Sequence, residues 1–317
     1  MSFRFDEQVA IVTGAGGMPS LGRSYARLLA RLGARVVVND LGVGPDGRGT
    51  VAANPGRVAE EIRAEGGIAI ADTNSVSTEE GAQSVVETAL DRWGRVDALI
   101  NNAGVARFAL FEELTPAEIR AMVDVHLLGT IWMCRAAWPH MQATGYGRIV
   151  NTTSGAMLGA GYGSVYGAAK AGIYGLTRTL AFEGSPHGIR VNALSPGAIT
   201  VSWRIHGPDR EPDPDVAASR SPDKVASAVA FLAHEACSFS GKSITSEAGY
   251  LSETYYGQTK GCDAADMTVD DVSANWHRVV DRLGSSELGD PEESGFWLGP
   301  PPGQRDASPP PGRAAEQ

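Results

Sequence analysis

Short runs of β-branched and apolar residues alternate along the chain with longer stretches in which apolar positions recur every three to four residues. The first run, 9–13 (Val-Ala-Ile-Val-Thr), leads through a glycine-rich turn into a periodic stretch at 21–32 and a second run at 35–39. Runs at 68–71, 96–100, 148–153, 190–194 and 242–245 predict further strands. Periodic stretches at 55–65, 78–93, 115–143, 164–183 and 222–234 predict helices between them. Nearly continuous apolar strands separated by amphipathic helices predict a parallel sheet covered on both faces, an α/β doubly wound fold of the Rossmann type.

Two segments break this rhythm. Residues 195–221 carry Pro196, Pro208, Pro212 and Pro214, run up to Pro222, and hold the charges of Asp209-Arg-Glu. A long connection at the carboxyl edge of such a sheet predicts a mobile substrate cover. Residues 284–317 hold 7 of the 18 prolines and 6 of the 39 glycines with no hydrophobic period. They are expected to be largely disordered, with Phe296-Trp-Leu as a docking spot. The expected division is one domain over 1–250, an extension over 251–283 and a tail over 284–317.

Composition narrows the class. The 317 residues, 43% hydrophobic and 20% charged, supply a substantial core, which excludes disorder throughout. A net charge of −10 would repel a phosphate backbone, so no nucleic-acid partner is expected. Cys134, Cys237 and Cys262 are odd in number and far apart, which favours neither a disulfide framework nor a metal site and fits a reducing cytoplasm. The opening residues lack the pattern of a signal peptide, and no apolar run approaches the ~18 residues of a membrane span, so no membrane association is expected.

The turn Thr13-Gly14-Ala-Gly16-Gly17-Met-Pro-Ser20-Leu-Gly22 follows a strand and opens a helix. There, glycines let the backbone approach a pyrophosphate and the helix N-terminus offers free N–H groups, so a dinucleotide is expected. Asp40 closes the second strand, where a carboxylate can accept hydrogen bonds from the adenosine ribose and repels a 2′-phosphate. NAD is therefore expected over NADP.

Tyr166 and Lys170 lie one helical turn apart on one face. A phenol of pKa about 10 is a poor base at neutral pH, and a nearby cation favours its phenolate. Such a pair suits proton transfer in alcohol and carbonyl interconversion. With eight Tyr and four Lys, a chance pair at this spacing is expected on the order of 0.1 times. A second pair nevertheless occurs, Tyr256 and Lys260, with Ser243 thirteen residues upstream. It lies beyond the last predicted strand, flanked by Gly257 and Gly261, and is read as coincidental.

With these motifs in order, the chain resembles the short-chain dehydrogenase/reductase family over about residues 6–250. The resemblance rests on the glycine loop, Asn101-Asn102-Ala103-Gly104 after the fourth strand, Ser154 after the fifth, Tyr166 and Lys170, and Ser195-Pro196-Gly197. Within the family it is most similar to the (3R)-hydroxyacyl-CoA dehydrogenase domain of peroxisomal multifunctional enzymes, through Gly22-Arg-Ser-Tyr-Ala, Val38-Asn-Asp-Leu-Gly, a longer loop at 44–56, and Arg135-Ala-Ala-Trp. The resemblance implies Tyr166 as general acid or base, Lys170 lowering its pKa and holding the nicotinamide ribose, and Ser154 donating to the developing alkoxide. It implies cofactor contacts from Gly14, Gly16, Ser20, Leu21, Gly22, Asp40, Leu41, Asn74, Ser75, Asn102, Ala103 and Gly104. Tyr166 and Lys170 join them, as do a Pro196-Gly197 turn and Ile199 near the carboxamide. It also implies a homodimer or homotetramer through helices 115–143 and 164–183.

Four positions depart from the family pattern. Met18-Pro19-Ser20 stands where the relative has one glycine, and Gly14 to Ser20 has the spacing of divergent enoyl reductases. Asn74 stands where an aspartate often holds the adenine amino group, a bond that an amide oxygen can still accept. His126 replaces an asparagine whose carbonyl holds a relay water, and so joins the catalytic candidates, the alternative being a half-buried helix histidine. Ser154 precedes Tyr166 by twelve residues rather than thirteen, which keeps Thr153 as an alternative to Ser154.

The expected function is reversible NAD-dependent oxidation of a secondary alcohol, a 3-hydroxyacyl-CoA or a steroid-like alcohol, with an NAD-binding scaffold or a non-redox lyase or epimerase as the alternatives. Arg204, His206 and Arg210 in the proline-rich segment are candidate contacts for an anionic group.

Overall fold

Strand β1 (Val9–Thr13) is buried along its whole length. Its side chains alternate between two cores, Ala10 and Val12 on one face of the sheet, Val9 and Ile11 on the other. Burial on both faces is why this run shows no polar alternation. The computed structural model describes residues 3–42, 54–200, 212–263 and 267–287. Around β1 it builds β2 (Arg35–Asn39), β3 (Ile68–Asp72), β4 (Ala98–Asn101), β5 (Gly147–Thr152), β6 (Ile189–Gly197) and β7 (Ser243–Glu247). These seven strands are parallel, in the order β3-β2-β1-β4-β5-β6-β7.

The helices in chain order are α1 (Leu21–Arg31), α2 (Asn54–Ala64), α3 (Glu79–Trp93), α4 (Pro116–Met122), α5 (Gly129–Thr144), α6 (Ser164–Gly184), α7 (Pro214–Ser219) and α8 (Pro222–Leu232). Residues of α1, α2 and α8 pack into one core and those of α3, α5 and α6 into the other, completing the doubly wound arrangement. The chain diverges from β1 to opposite sides at β2 and β4, so a crevice opens at the carboxyl ends of β1 and β4, where such folds bind ligands.

Three features differ from the sequence expectation. An eighth strand, β8 (Tyr250–Glu253), pairs antiparallel with β7. Its two-residue turn has both central residues at positive φ, Ala248 at 49° and Gly249 at 86°. Such hairpin turns are usually announced by Asn-Gly or Asp-Gly, and this edge strand leaves Tyr250 and Leu251 exposed, so neither turn nor strand carried the usual signal. The helix expected over 115–143 is interrupted by one π-helical turn, Val123–Leu128, between α4 and α5. Pro196 and Gly197, read as a turn, continue β6 and pair with Ser246 and Glu247 of β7. The β5 neighbour has ended by then, its last partner being Leu194, which leaves room for a residue without an N–H.

The chain divides into two compact units, Met1–Glu253 and Thr254–Gln317. The first ends with β8. The second contains the two-residue strands β9 (Gly257–Gln258) and β10 (Ser286–Glu287), paired antiparallel, and α9 (Val269–Val279). Tyr256 and Lys260 flank β9 outside any helix, so they share no helical face. Arg204, His206, Arg210 and the Phe296-Trp-Leu segment lie outside the described residues. Among the described residues, no helix is long and apolar enough to cross a membrane, and no group of His, Cys, Asp or Glu could hold a metal ion.

Candidate active site

At the carboxyl end of β1 the glycine loop turns back on the sheet. Gly14 adopts φ +63°, and a Cβ there would fall 2.6 Å from the Ala103 Cα. At Gly22 a Cβ would fall 2.4 Å from the Gly14 carbonyl oxygen. These close approaches require glycine. Asn102 locks the loop to β4, its amide Nδ2 donating to the carbonyls of Thr13 at 2.9 Å and Gly14 at 3.0 Å. The Thr13 hydroxyl in turn accepts from the N–H groups of Asn102 and Ala103. Ser20 caps α1, its Oγ accepting from the Arg23 N–H, and Leu21 is the first helical residue. The redrawn Met18-Pro19-Ser20 segment thus ends in an ordinary helix cap, with the α1 N-terminus at the crevice.

Asp40 follows β2 and faces this loop. One carboxylate oxygen accepts from the Gly16 N–H at 2.7 Å and the other from the Gly42 N–H at 2.7 Å. The sequence assigned Asp40 to a ribose; in the protein its carboxylate fastens the glycine loop. Leu41 beside it is exposed. Asn74 and Ser75 lie just beyond β3, with the Ser75 hydroxyl bonded to that of Ser77. The Asn74 amide nitrogen donates to Asp72 at 2.8 Å. Together, the glycine cradle, the free end of α1, the carboxylate at the end of β2 and the amide beyond β3 fit an adenine dinucleotide.

The catalytic candidates converge at the end of β5 and the start of α6. Ser154 caps a single 3-10 turn, Gly155–Leu158, its Oγ accepting from the Ala156 N–H at 3.2 Å. With its acceptor engaged by the backbone, the hydroxyl has a proton to donate, and it hydrogen-bonds to the Tyr166 phenol. Thr153, kept as an alternative, points the other way; it is 1% exposed and its hydroxyl lies 3.5 Å from that of Ser243 in β7. Lys170 is 2% exposed and donates to the Thr152 carbonyl at 2.6 Å. Its Nζ lies 5.7 Å from the Tyr166 ring centroid.

The electrostatics run against the simplest expectation for a Tyr and Lys pair. Burial pushes the Tyr166 phenol above its ordinary value, opposed by the Ser154 hydrogen bond. Burial alone pulls Lys170 down from 10.5 to about 7. Desolvation therefore outweighs any mutual attraction, and the pocket favours the neutral form of each.

His126 sits in the π-helical turn, 4% exposed. Its Nε2 lies 2.6 Å from the Val105 carbonyl, which can only accept, so Nε2 carries the proton and Nδ1 is left without a partner. Burial and the nearby Lys170 lower its pKa to about 3, so the ring is neutral. It packs edge-on against Tyr166, ring centroids 5.2 Å apart, and a Cβ at Gly104 would fall 2.3 Å from its Cε1. Its carbonyl oxygen accepts from the Thr130 hydroxyl at 2.7 Å. Phe108 packs on the Tyr166 ring, centroids 5.7 Å apart and the planes tilted by 56°.

Beyond β6, the Ile199 N–H donates to the Arg220 carbonyl at 2.9 Å, and Arg220 pairs with Glu247 at 2.7 Å. These contacts tie Ile199 to Arg220, and Arg220 to the residue paired with Gly197. The sequence reading missed Asp72 and the buried chain Asn101-Asn151-Thr177, which ties β4, β5 and α6 together at 2.9 and 3.0 Å.

The sequence matches the family described as short chain dehydrogenase over residues 8–206. A short-chain type dehydrogenase/reductase of Mycobacterium tuberculosis is 39% identical over 285 residues, covering 89% of this chain and 97% of that protein. The peroxisomal hydratase-dehydrogenase-epimerase of Saccharomyces cerevisiae is 38% identical over 284 residues, 87% of this chain but 30% of that longer protein. Among solved structures, the full-length peroxisomal multifunctional enzyme type 2 of Drosophila melanogaster superposes with a TM-score of 0.75 at 32% identity, over 92% of this chain and 49% of that one.

Proposed function

The chain belongs to the short-chain dehydrogenase family of oxidoreductases, and on that premise we propose that it interconverts a secondary alcohol and a ketone with NAD. The convergence of Ser154, Tyr166 and Lys170 at the end of β5 carries this reading. A bound nicotinamide would supply the hydride chemistry. Tyr166 takes the hydroxyl proton of the alcohol, or returns it to the ketone, while the Ser154 hydroxyl donates to the same substrate oxygen. Lys170, buried on the Thr152 carbonyl beside the phenol, is the group that would meet the nicotinamide ribose. The substrate class we propose is a 3-hydroxyacyl thioester or a steroid-like alcohol, in keeping with Phe108 over the Tyr166 ring. Three free thiols, two of them buried, fit a reducing compartment, and we assign the cytoplasm. NADH formation across a panel of secondary alcohols tests the reaction; a purified protein that binds NADH and turns over none of them would overturn it.

Asp40 supports NAD rather than NADP, because its carboxylate would face the 2′-phosphate at close range. Asp40→Ser is expected to raise the NADPH to NADH ratio of kcat/KM about tenfold or more. Loss of the Gly16 and Gly42 bonds should weaken NADH binding as well. Steady-state kinetics with both cofactors reads both effects, and an unchanged ratio would remove Asp40 from cofactor selection.

We also propose self-association through α5 and α6, which carry partly buried Trp132, Trp138 and Leu180 beside the core. Light scattering is expected to give a dimer or tetramer at micromolar concentration, and a monomer would contradict it.

A further inference from the structure

Asp72 ends β3 directly opposite Asn39 at the end of β2, and it is 5% exposed. Among the described residues its carboxylate partners are all neutral. Oδ1 accepts from Asn39 Nδ2 at 2.7 Å and from the Asn74 N–H at 3.0 Å. Oδ2 accepts from Asn74 Nδ2 at 2.8 Å and from the Thr88 hydroxyl at 2.8 Å. Its own carbonyl accepts from the Asp40 N–H at 3.1 Å. Asp72 therefore holds both residues assigned above to the ribose and the adenine, Asp40 through its main-chain carbonyl and Asn74 through its carboxylate.

An ionised carboxylate only accepts, whereas a primary amide has a donating end and an accepting end. Asp72 thus dictates the orientation of the Asn74 side chain: the NH₂ end turns inward and the carbonyl end turns to the exposed side. We propose that Asp72 is a positioning residue which selects the base of the dinucleotide by holding the Asn74 carbonyl oxygen outward, where it accepts from an exocyclic amino group. This rests on the dinucleotide reading above. It also accounts for asparagine rather than aspartate at position 74, since a second carboxylate within hydrogen-bond reach of Asp72 would be repelled.

The consequence of removing the charge is definite. In Asp72→Asn, the oxygen must stay on the side of Asn39 Nδ2 and the Asn74 N–H, because the backbone donor cannot turn round. The new NH₂ group then occupies the other side. The Thr88 hydroxyl can rotate to accept from it, but the Asn74 side chain can do so only by flipping. The flipped amide presents NH₂ outward, opposite the amino group of adenine, and would instead suit the carbonyl oxygen of hypoxanthine. The double variant D72N/N74D restores the pairing in mirror form: the new asparagine donates to the new aspartate, which accepts outward.

Dissociation constants of NADH and of its analogue with hypoxanthine in place of adenine, read by fluorescence titration of the full chain, test this without turnover. The ratio between the two dinucleotides cancels any general loosening of the site and any other contact to the base. Asp72→Asn is expected to shift this ratio about tenfold toward hypoxanthine, and D72N/N74D to return it to within about threefold of wild type. A folded Asp72→Asn protein with the wild-type ratio overturns the proposal. Where Asp72→Asn alone does not fold, the double variant decides: folded and adenine-selective supports it, any other result overturns it. Wild type that binds neither dinucleotide would sink the dinucleotide reading and this inference together, whereas binding with an unmoved ratio sinks only the inference.

Discussion

Tyr166→Phe is expected to lower kcat about a thousandfold while leaving NADH affinity within about twofold of wild type. The size of the effect follows from the lack of a substitute. A proton acceptor for the substrate hydroxyl must lie beside Ser154, and each neighbour of the phenol is otherwise engaged. The Ser154 oxygen accepts from the Ala156 N–H and its hydroxyl is bonded to the phenol itself. His126 cannot replace the phenol: its Nε2 proton is held by the Val105 carbonyl and its Nδ1 is enclosed without a partner. Lys170 is directed to the Thr152 carbonyl. The phenylalanine ring keeps the edge contact with His126 and the packing on Phe108, so the pocket retains its shape and the dinucleotide its walls. Single-turnover kinetics beside NADH titration separates the two effects. Activity equal to wild type would show that Tyr166 is not the acid or base, and a parallel collapse of NADH binding would show that the phenol acts through the fold.

The parts of this site that were legible in the sequence are those where chemistry and backbone coincide. The strands of the parallel sheet are buried on both faces, so their apolar runs are unbroken, and the glycines at 14 and 22 stand where side chains would collide with backbone. The order of Ser154, Tyr166 and Lys170 survived a one-residue change in spacing because the 3-10 turn after β5 sets the direction of Ser154 locally, and Thr153 faces β7. What the sequence left open depends on contacts between distant segments. Nothing in the local pattern marks Asp72 as buried; it becomes significant once β2 and β3 pair in register and bring Asn39 alongside. The placement of His126 against Val105 and Tyr166 comes with a π-helical turn between α4 and α5, which the apolar period did not announce. Asp40 shows the same limit, since its bond to Gly16 links the segments that follow β2 and β1. The Tyr and Lys spacing placed the two residues on one helical face but gave only part of their electrostatics, because burial, which sequence spacing does not report, is the larger influence on both.

That burial has a cost, and Lys170→Met is expected to expose it. The substitution should reduce kcat at least about a hundredfold and yet make the protein more resistant to unfolding, most of all at low pH. The folded protein holds the Lys170 ammonium near pKa 7, against 10.5 for the group in water. Below pH 7 the lysine is charged in both states, so its full desolvation penalty opposes folding. Between about pH 7 and 10.5 the unfolded chain binds more protons than the folded one, and stability contributed by this site rises with pH. Above that range neither state carries the charge and the penalty is gone. The advantage of Lys170→Met over wild type should therefore be constant below pH 7 and shrink steadily as pH rises toward 10. Methionine leaves the Thr152 carbonyl without its donor, a loss that lowers the whole difference but not its slope, so the trend with pH is the quantity to measure. Thermal unfolding of both proteins at pH 6 and pH 9.5 reads it directly. A difference independent of pH would mean that Lys170 is not held near neutrality by burial. A difference that grows with pH would mean that the folded state stabilises the ammonium, as an ion pair would. The expected result, a more stable and inactive variant, would identify the buried lysine as strain that the fold sustains for the chemistry at Tyr166.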